Sequence, residues 1–282
     1  MASDSRILEI AETALAESWK KIKGRQYFRA DNEDYVKLPE YNLIPTVSFA
    51  DIESDYAAGA GQELKGKFCA AHSSAALVAN SFGLFRNKFS PPIPEVAGIY
   101  DLSYPEFEKP MRIEGLRGTP PNPDVVFTGS DYIIAIESKF TEFLSEKRGE
   151  FRASYDKLVP KMEHGWRKVF ERIREQPNHF GGFDAAQMVK HYLGIRCVKA
   201  NRRSLAYLFW EPRNAESIDV FREHRGHIAK FAEMVKGSEI PFRWQSYADL
   251  WGLWEKTASQ KIEEHIGHLK QRYLIGNYPL TV

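Results

Sequence analysis

Cysteine is nearly absent: Cys69 and Cys197 are the only two in 282 residues. So low a count excludes a disulfide framework, and their spacing is not that of metal ligands. Long apolar runs are missing as well. No stretch approaches the roughly 20 residues that a helix needs to cross a bilayer, and the N-terminus is charged from Asp4 onward, with no apolar signal segment. The expectation is a cytoplasmic protein with no membrane partner. Net charge is lacking too, since 39 Lys and Arg stand against 38 Asp and Glu for a formal +1. Any nucleic-acid surface therefore has to be a local basic patch balanced by acids elsewhere. His191, His224 and His227 have no zinc spacing and read as surface or capping residues. No internal repeat or low-complexity segment is visible.

What the chain does have is a globular composition, 43% hydrophobic and 13% aromatic, enough for one large core or a core with a helical appendage. Its most informative stretch runs from Pro123 to Lys139. Val125 to Phe127 and Tyr132 to Ile136 are short β-branched and aromatic runs separated by Gly129-Ser130-Asp131, which predicts an antiparallel hairpin with Asp131 as a turn residue. The second strand is apolar on both faces and should be central in its sheet, so charged groups at its end need a metal or a partner. Strand alternation places Glu137 and Lys139 on one face and turns Ser138 away. Pro123 cannot donate a ladder hydrogen bond and suits a strand start just before Asp124. Asp124, Glu137 and Lys139 are expected to converge at one edge of a cavity.

Elsewhere, Ile7, Leu8, Ala11, Ala14, Leu15 and Trp19 recur at helical spacing, which predicts a first helix from Ser3 or Asp4 to about Gly24. Residues 26 to 60 read as an arm with turn signals at Pro39, Pro45 and Gly59. A helix is expected from about Gln62 to Phe82, stopped by Gly83, and strand-like text from Val96 to about Ile113. The charged stretch from Thr141 to Glu175 reads as helical. Asp184 can cap a helix over 185–193, followed by a strand over 204–210, a helix over about 215–235, a short strand near 242–245 and a helical tail from Tyr247 to about Leu274. Trp251 and Trp254, at i and i+3, read as core.

Pro123-Asp124, twelve intervening residues and Glu137-Ser138-Lys139 resemble the core motif of the PD-(D/E)XK nuclease superfamily. The text from Gly115 to Asp124 and from Glu137 to Glu142 is similar to its restriction-endonuclease-like branch. The resemblance implies an α/β fold with an αβββαβ core, a central mixed β-sheet flanked by helices, plus N-terminal and inserted helical segments. In these terms 1–60 form an N-terminal helix and arm, and 61–282 the nuclease-like core with a helical insertion at about 141–180. The implied activity is metal-dependent hydrolysis of DNA phosphodiester bonds, of restriction, defence or repair type.

That chemistry must generate an attacking hydroxide and neutralise charge on the transition state, and paired carboxylates achieve this by holding Mg²⁺, with Mn²⁺ as a substitute. Asp124 and Glu137 are the expected metal ligands. Lys139 would orient the attacking water and stabilise negative charge, and Ser138 would contribute its backbone carbonyl. The superfamily often takes a further carboxylate from its first core helix, where Glu63 stands. Glu63 has an equally good reading as an exposed first-turn acid paired with Lys67. Glu142 either supports Lys139 or is solvated.

Gln187-Met188-Val189-Lys190-His191-Tyr192 is similar to the Q-x-x-x-Y helix of RecB-like nucleases but puts histidine where the tyrosine belongs. Gln187 and Lys190 either face the substrate phosphate or form a polar outward face. Arg117 and Thr119, in the Gly118-containing loop before the hairpin, are placed for a substrate phosphate. The bases between Lys147 and Arg174 are interspersed with acids and read mostly as a solvated helical face. Double-strand cutting from one site per chain would favour a two-fold homodimer on DNA. Two alternatives remain: an inactive nucleic-acid-binding module of the same fold, and an accidental motif whose three residues never meet.

Overall fold

Val125–Thr128 (β2) and Tyr132–Lys139 (β3) pair antiparallel in the computed structural model, with Val125 opposite Ile136 and Thr128 opposite Ile133. Residues 2–58, 64, 66–87, 104–145, 147–256 and 259–276 are described. The hairpin turn needs its glycine, because a Cβ on Gly129 would lie 2.0 Å from the Tyr132 ring. β3 is buried along nearly its whole length, as its two apolar faces demand, and lies at the centre of a five-stranded sheet ordered β1-β2-β3-β4-β5. Pro105–Phe107 (β1) runs antiparallel to β2, whereas Arg202–Phe209 (β4) and Phe242–Ser246 (β5) extend the sheet in parallel.

Parallel neighbours require crossovers, and helices supply them. Counting Ala2–Lys23 as α1, Glu53–Ala58 as α2 and Ser74–Phe82 as α3, the next is α4 (His164–Glu175), then α5 (Ala185–Arg196) between β3 and β4 and α6 (Asp219–Met234) between β4 and β5. Tyr247–Glu255 (α7) and Gln260–Tyr273 (α8) close the chain. The order α3, β1, β2, β3, α5, β4 is the expected αβββαβ core, a mixed sheet flanked by helices.

The two layers are marked by their contacts. On one face Trp166 of α4 stacks on Tyr192 of α5 at 4.2 Å and meets Phe231 of α6. On the other, Phe82 of α3 packs edge-on against Phe127 and Trp254, and Ser138 meets Tyr247 of α7. Ala11, Leu15 and Trp19 of α1 are buried in the same continuous core, and Trp251 and Trp254 are fully buried as expected.

A second buried polar group ties this layer together. Asn42 accepts from Arg272 Nη2 at 2.6 Å through its side chain, and its main-chain oxygen accepts from Arg272 and from Asn80 Nδ2. Asn80 in turn accepts from Ile44 N–H at 2.8 Å and donates to the Tyr273 hydroxyl at 2.7 Å. The Arg272 guanidinium lies over the Trp19 and Tyr273 rings, 4.1 and 4.6 Å from their centres.

Several elements differ from expectation for identifiable reasons. Of the helix read over 62–82, the described residues 69–71 are not α-helical, because their backbone pairs instead with the arm: Val36 N–H donates to the Cys69 carbonyl and Ala71 N–H to that of Asp34. Ser73 then caps α3 by accepting the Ala76 N–H at 3.2 Å. Of the strand text over 96–113, part lies outside the described residues, and β1 ends where Glu108 takes a positive φ of 50° and Pro110 brings no N–H. The 141–175 stretch holds the 3-10 turns Glu142–Leu144 and Ala153–Lys161 before α4, Pro160 having removed a helical donor. The tail is helical as expected, in α7 and α8.

Candidate active site

The register of the sheet builds the site. Val125 opposite Ile136 brings Asp124, just before β2, beside Glu137, and Phe107 opposite Val125 brings Glu108 beside Asp124, whose carbonyl accepts the Glu108 N–H at 3.2 Å. Cross-strand neighbours share a face. Asp124 and Glu137 therefore share the face that α5 covers, and Glu108, just past the end of β1, lies beside Asp124 in register. Lys139 follows Glu137 on the same face and pairs with its Oε1, whereas Ser138 turns to the opposite face and hydrogen-bonds the Tyr247 hydroxyl at 2.7 Å.

Each acid is held differently. Asp124 is half-buried; its Oδ2 accepts the Ser138 N–H at 2.6 Å, and among the described residues its Oδ1 accepts nothing. Burial first, and then the charges of Glu137 and Glu108, push its carboxyl well above the ordinary range. Glu137 is only 1% exposed; burial would raise it too, but Lys139 and His191 outweigh that and hold it below. Burial would lower Lys139, yet Glu137, Asp124 and Glu142 raise it, so its ammonium keeps its proton. Glu142 itself accepts the Phe140 N–H at 2.7 Å.

The donor set fits a hard cation. It is all oxygen, one carboxylate oxygen is open, and Asp124 and Glu137 repel each other as anions. A strand residue's N–H and C=O face the same neighbour, so the Ser138 carbonyl also looks past the end of β2. Among the described residues no three His, Cys, Asp or Glu groups form a ready cage, but Mg²⁺ keeps several waters and needs only one or two carboxylates. Asp124, Glu137 and the Ser138 carbonyl are the groups that would hold it. Glu63 lies outside the described residues.

His191 departs from expectation. It is a fully buried residue of α5, not a surface or capping one, and its Nε2 lies 2.7 Å from Glu137 Oε2. His224 is likewise buried, stacked on Phe143 and bonded to the Tyr207 hydroxyl. Glu108 was missed altogether, because its identity is visible in the sequence but its register beside Asp124 is not. Gln187 gives its N–H to the capping carboxylate of Asp184 and stands one turn before His191 on the same helix face.

A cleft of about 970 Å³ is lined by Arg117, Thr119 and Lys190 together, and none of Asp124, Glu137 and Lys139 is among its lining residues. Arg112, Arg152 and Tyr155 add to its polar wall, as do the acids Glu114 and Glu150, and Pro121, three residues upstream of Asp124, forms part of its edge. Gln187 is not among its lining residues. Among the described residues Arg112, Arg117, Arg152 and Lys190 have no carboxylate partner, and Lys190 instead lies over the Phe151 ring. Other bases of the insertion are paired as a solvated face should be: Arg148 with Glu150, Arg167 with Glu171 and Arg174 with Asp156. Asp131 sits in the hairpin turn, paired with Arg202.

A family model, REase-ARP, described as Restriction Endonuclease associating with ARP, matches residues 10–274. No curated protein and no solved structure matches the chain.

Proposed function

The chain belongs to the REase-ARP family, a nuclease-related assignment, and from that premise we propose that it is a Mg²⁺-dependent DNA endonuclease acting through Asp124, Glu137 and Lys139. The observation that carries the reading is the meeting of Asp124 and Glu137 across β2 and β3, with Lys139 on the same face and one carboxylate oxygen open. A bound divalent cation would supply activation of water and charge neutralisation at phosphorus. Lys139, held protonated by its acids, acts as a donor to the attacking water or the phosphate oxygens rather than as a base. The phosphodiester backbone would approach through the cleft, where Arg112, Arg117, Arg152 and Lys190 outnumber the acids Glu114 and Glu150. Two copies on a two-fold axis would cut both strands, and a monomeric mass with and without DNA would count against that.

The alternative, a binding module without turnover, draws on Glu137 having both oxygens engaged. Cleavage of supercoiled, linear and single-stranded DNA with Mg²⁺ or Mn²⁺ against EDTA separates the two. Wild type should cut only with metal, and Asp124→Ala and Lys139→Ala should each lose on the order of 10³-fold in rate. Binding without cutting would favour the module. Arg117→Ala with Lys190→Ala should leave turnover of bound substrate intact and flatten the log-log salt dependence of DNA binding by about 0.9 per lost phosphate contact; an unchanged slope would remove the cleft from the substrate path.

A further inference from the structure

We infer that His191 is a positioning residue of this centre, holding the Glu137 carboxylate in the orientation that receives the cation. The inference rests on the metal-dependent reading above and adds one residue to the same site. His191 is 0% exposed and lies among the buried apolar residues Met188, Val189, Leu193 and Ile195 of its own helix. Packing alone asks for an apolar side chain there, since a buried imidazole must repay the cost of losing water. Among the described residues its one polar contact is Nε2 to Glu137 Oε2 at 2.7 Å, and Nδ1 has no partner. A carboxylate only accepts, so Nε2 carries the hydrogen. The histidine is thus explained by Glu137 and by nothing else around it.

The other two fully buried histidines make the contrast. His224 bonds the Tyr207 hydroxyl, and His265 meets Thr46 and the Ser81 carbonyl, all neutral groups. His191 alone of the three faces a carboxylate. With Oε2 fixed to α5, the Glu137 rotor is locked and only Oε1, now shared with Lys139, is left to exchange. Hydrogen-bond partners that orient ligating groups in this way typically change metal affinity or activity by about 10- to 100-fold when removed.

The test compares the full-length wild type with His191→Leu and His191→Gln, reading Mn²⁺ binding by titration calorimetry alongside DNA cleavage. Leu should weaken Mn²⁺ binding by about 10- to 100-fold, whereas Gln, whose amide N–H reaches the place of Nε2, should recover most of it. In a Glu137→Ala background, His191→Leu should have no further effect. His191→Met, closer in flexibility to the gap, replaces Leu if that variant does not fold. Wild-type Mn²⁺ affinity in the Leu or Met variant overturns the inference while leaving the nuclease reading intact, as does a Gln variant no better than Leu. Weakened binding in a protein that never cuts upholds His191 and overturns the nuclease reading. A wild type that binds no Mn²⁺ overturns both.

Discussion

Two buried polar clusters sit on opposite faces of the same sheet, and they are built on opposite principles. Around Arg272, Asn42 and Asn80 nearly every donor has found an acceptor, several of them main-chain oxygens, and the lone positive charge is spread over a planar group between two aromatic rings. Burial still lowers Arg272, to about 10, yet it stays charged at neutral pH. Around Asp124, Glu137 and Lys139 two acids share one ammonium, and an oxygen is left open. The first cluster is closed and holds the fold. The second carries an electrostatic deficit, the kind of arrangement that clusters at functional sites.

Breaking the closed cluster should have the largest effect. Arg272→Leu leaves the Asn42 carbonyl and side-chain oxygen short of donors and removes the stacking on Trp19, and should cost about 3 kcal/mol in denaturant unfolding. Cleavage per folded molecule should be unchanged; a loss of activity without loss of stability would erase the distinction between the clusters.

Relieving the open cluster should act in the other direction. Because the folded state raises the Asp124 carboxyl, it binds that proton more tightly than the unfolded chain does. The group's contribution is therefore full below the ordinary carboxylate range and is lost as pH rises through the folded value. Asp124→Asn, which cannot ionise, should melt about 2–4 °C above wild type at neutral pH, the scale of about 1 kcal/mol in a chain of this size. The gap should close toward about pH 4. A pH-independent gap would mean that Asp124 is not strained as an anion.

The smallest effect sharpens the comparison further. Mg²⁺ at about three times its dissociation constant should stabilise wild type by roughly 0.8 kcal/mol. The same addition should leave Asp124→Asn nearly unmoved while stabilising Arg272→Leu as it does wild type. Equal shifts in all three would place the cation elsewhere.

The hairpin was legible because its strands are apolar on both faces and its turn residues are distinctive; β2 and β3 lie where periodicity put them, and so do α5, β4 and β5 to within a few residues. Asp124, Glu137 and Lys139 could be read because they sit within that local pattern. His191 could not, since its partner is 54 residues away and an imidazole on an apolar helix face says nothing about what it faces. Glu108 was hidden by register, which depends on a strand pairing that the loop before β2 does not encode. The shortened α3 was hidden for the same kind of reason: its upstream backbone is taken by the arm, a competition between distant segments that helical spacing cannot reveal.

The Asn42 to Arg272 bonds join positions 230 residues apart. Such separation implies high contact order, and closing a loop that long is entropically slow. As the chain is synthesised, Trp19 and Asn42 lack the Arg272 guanidinium until α8 emerges, so the β2–β3 hairpin is made long before the arm can lock. Folding of this chain should accordingly end with a late docking step, during which the apolar faces of α1 and α3 are open to chaperones.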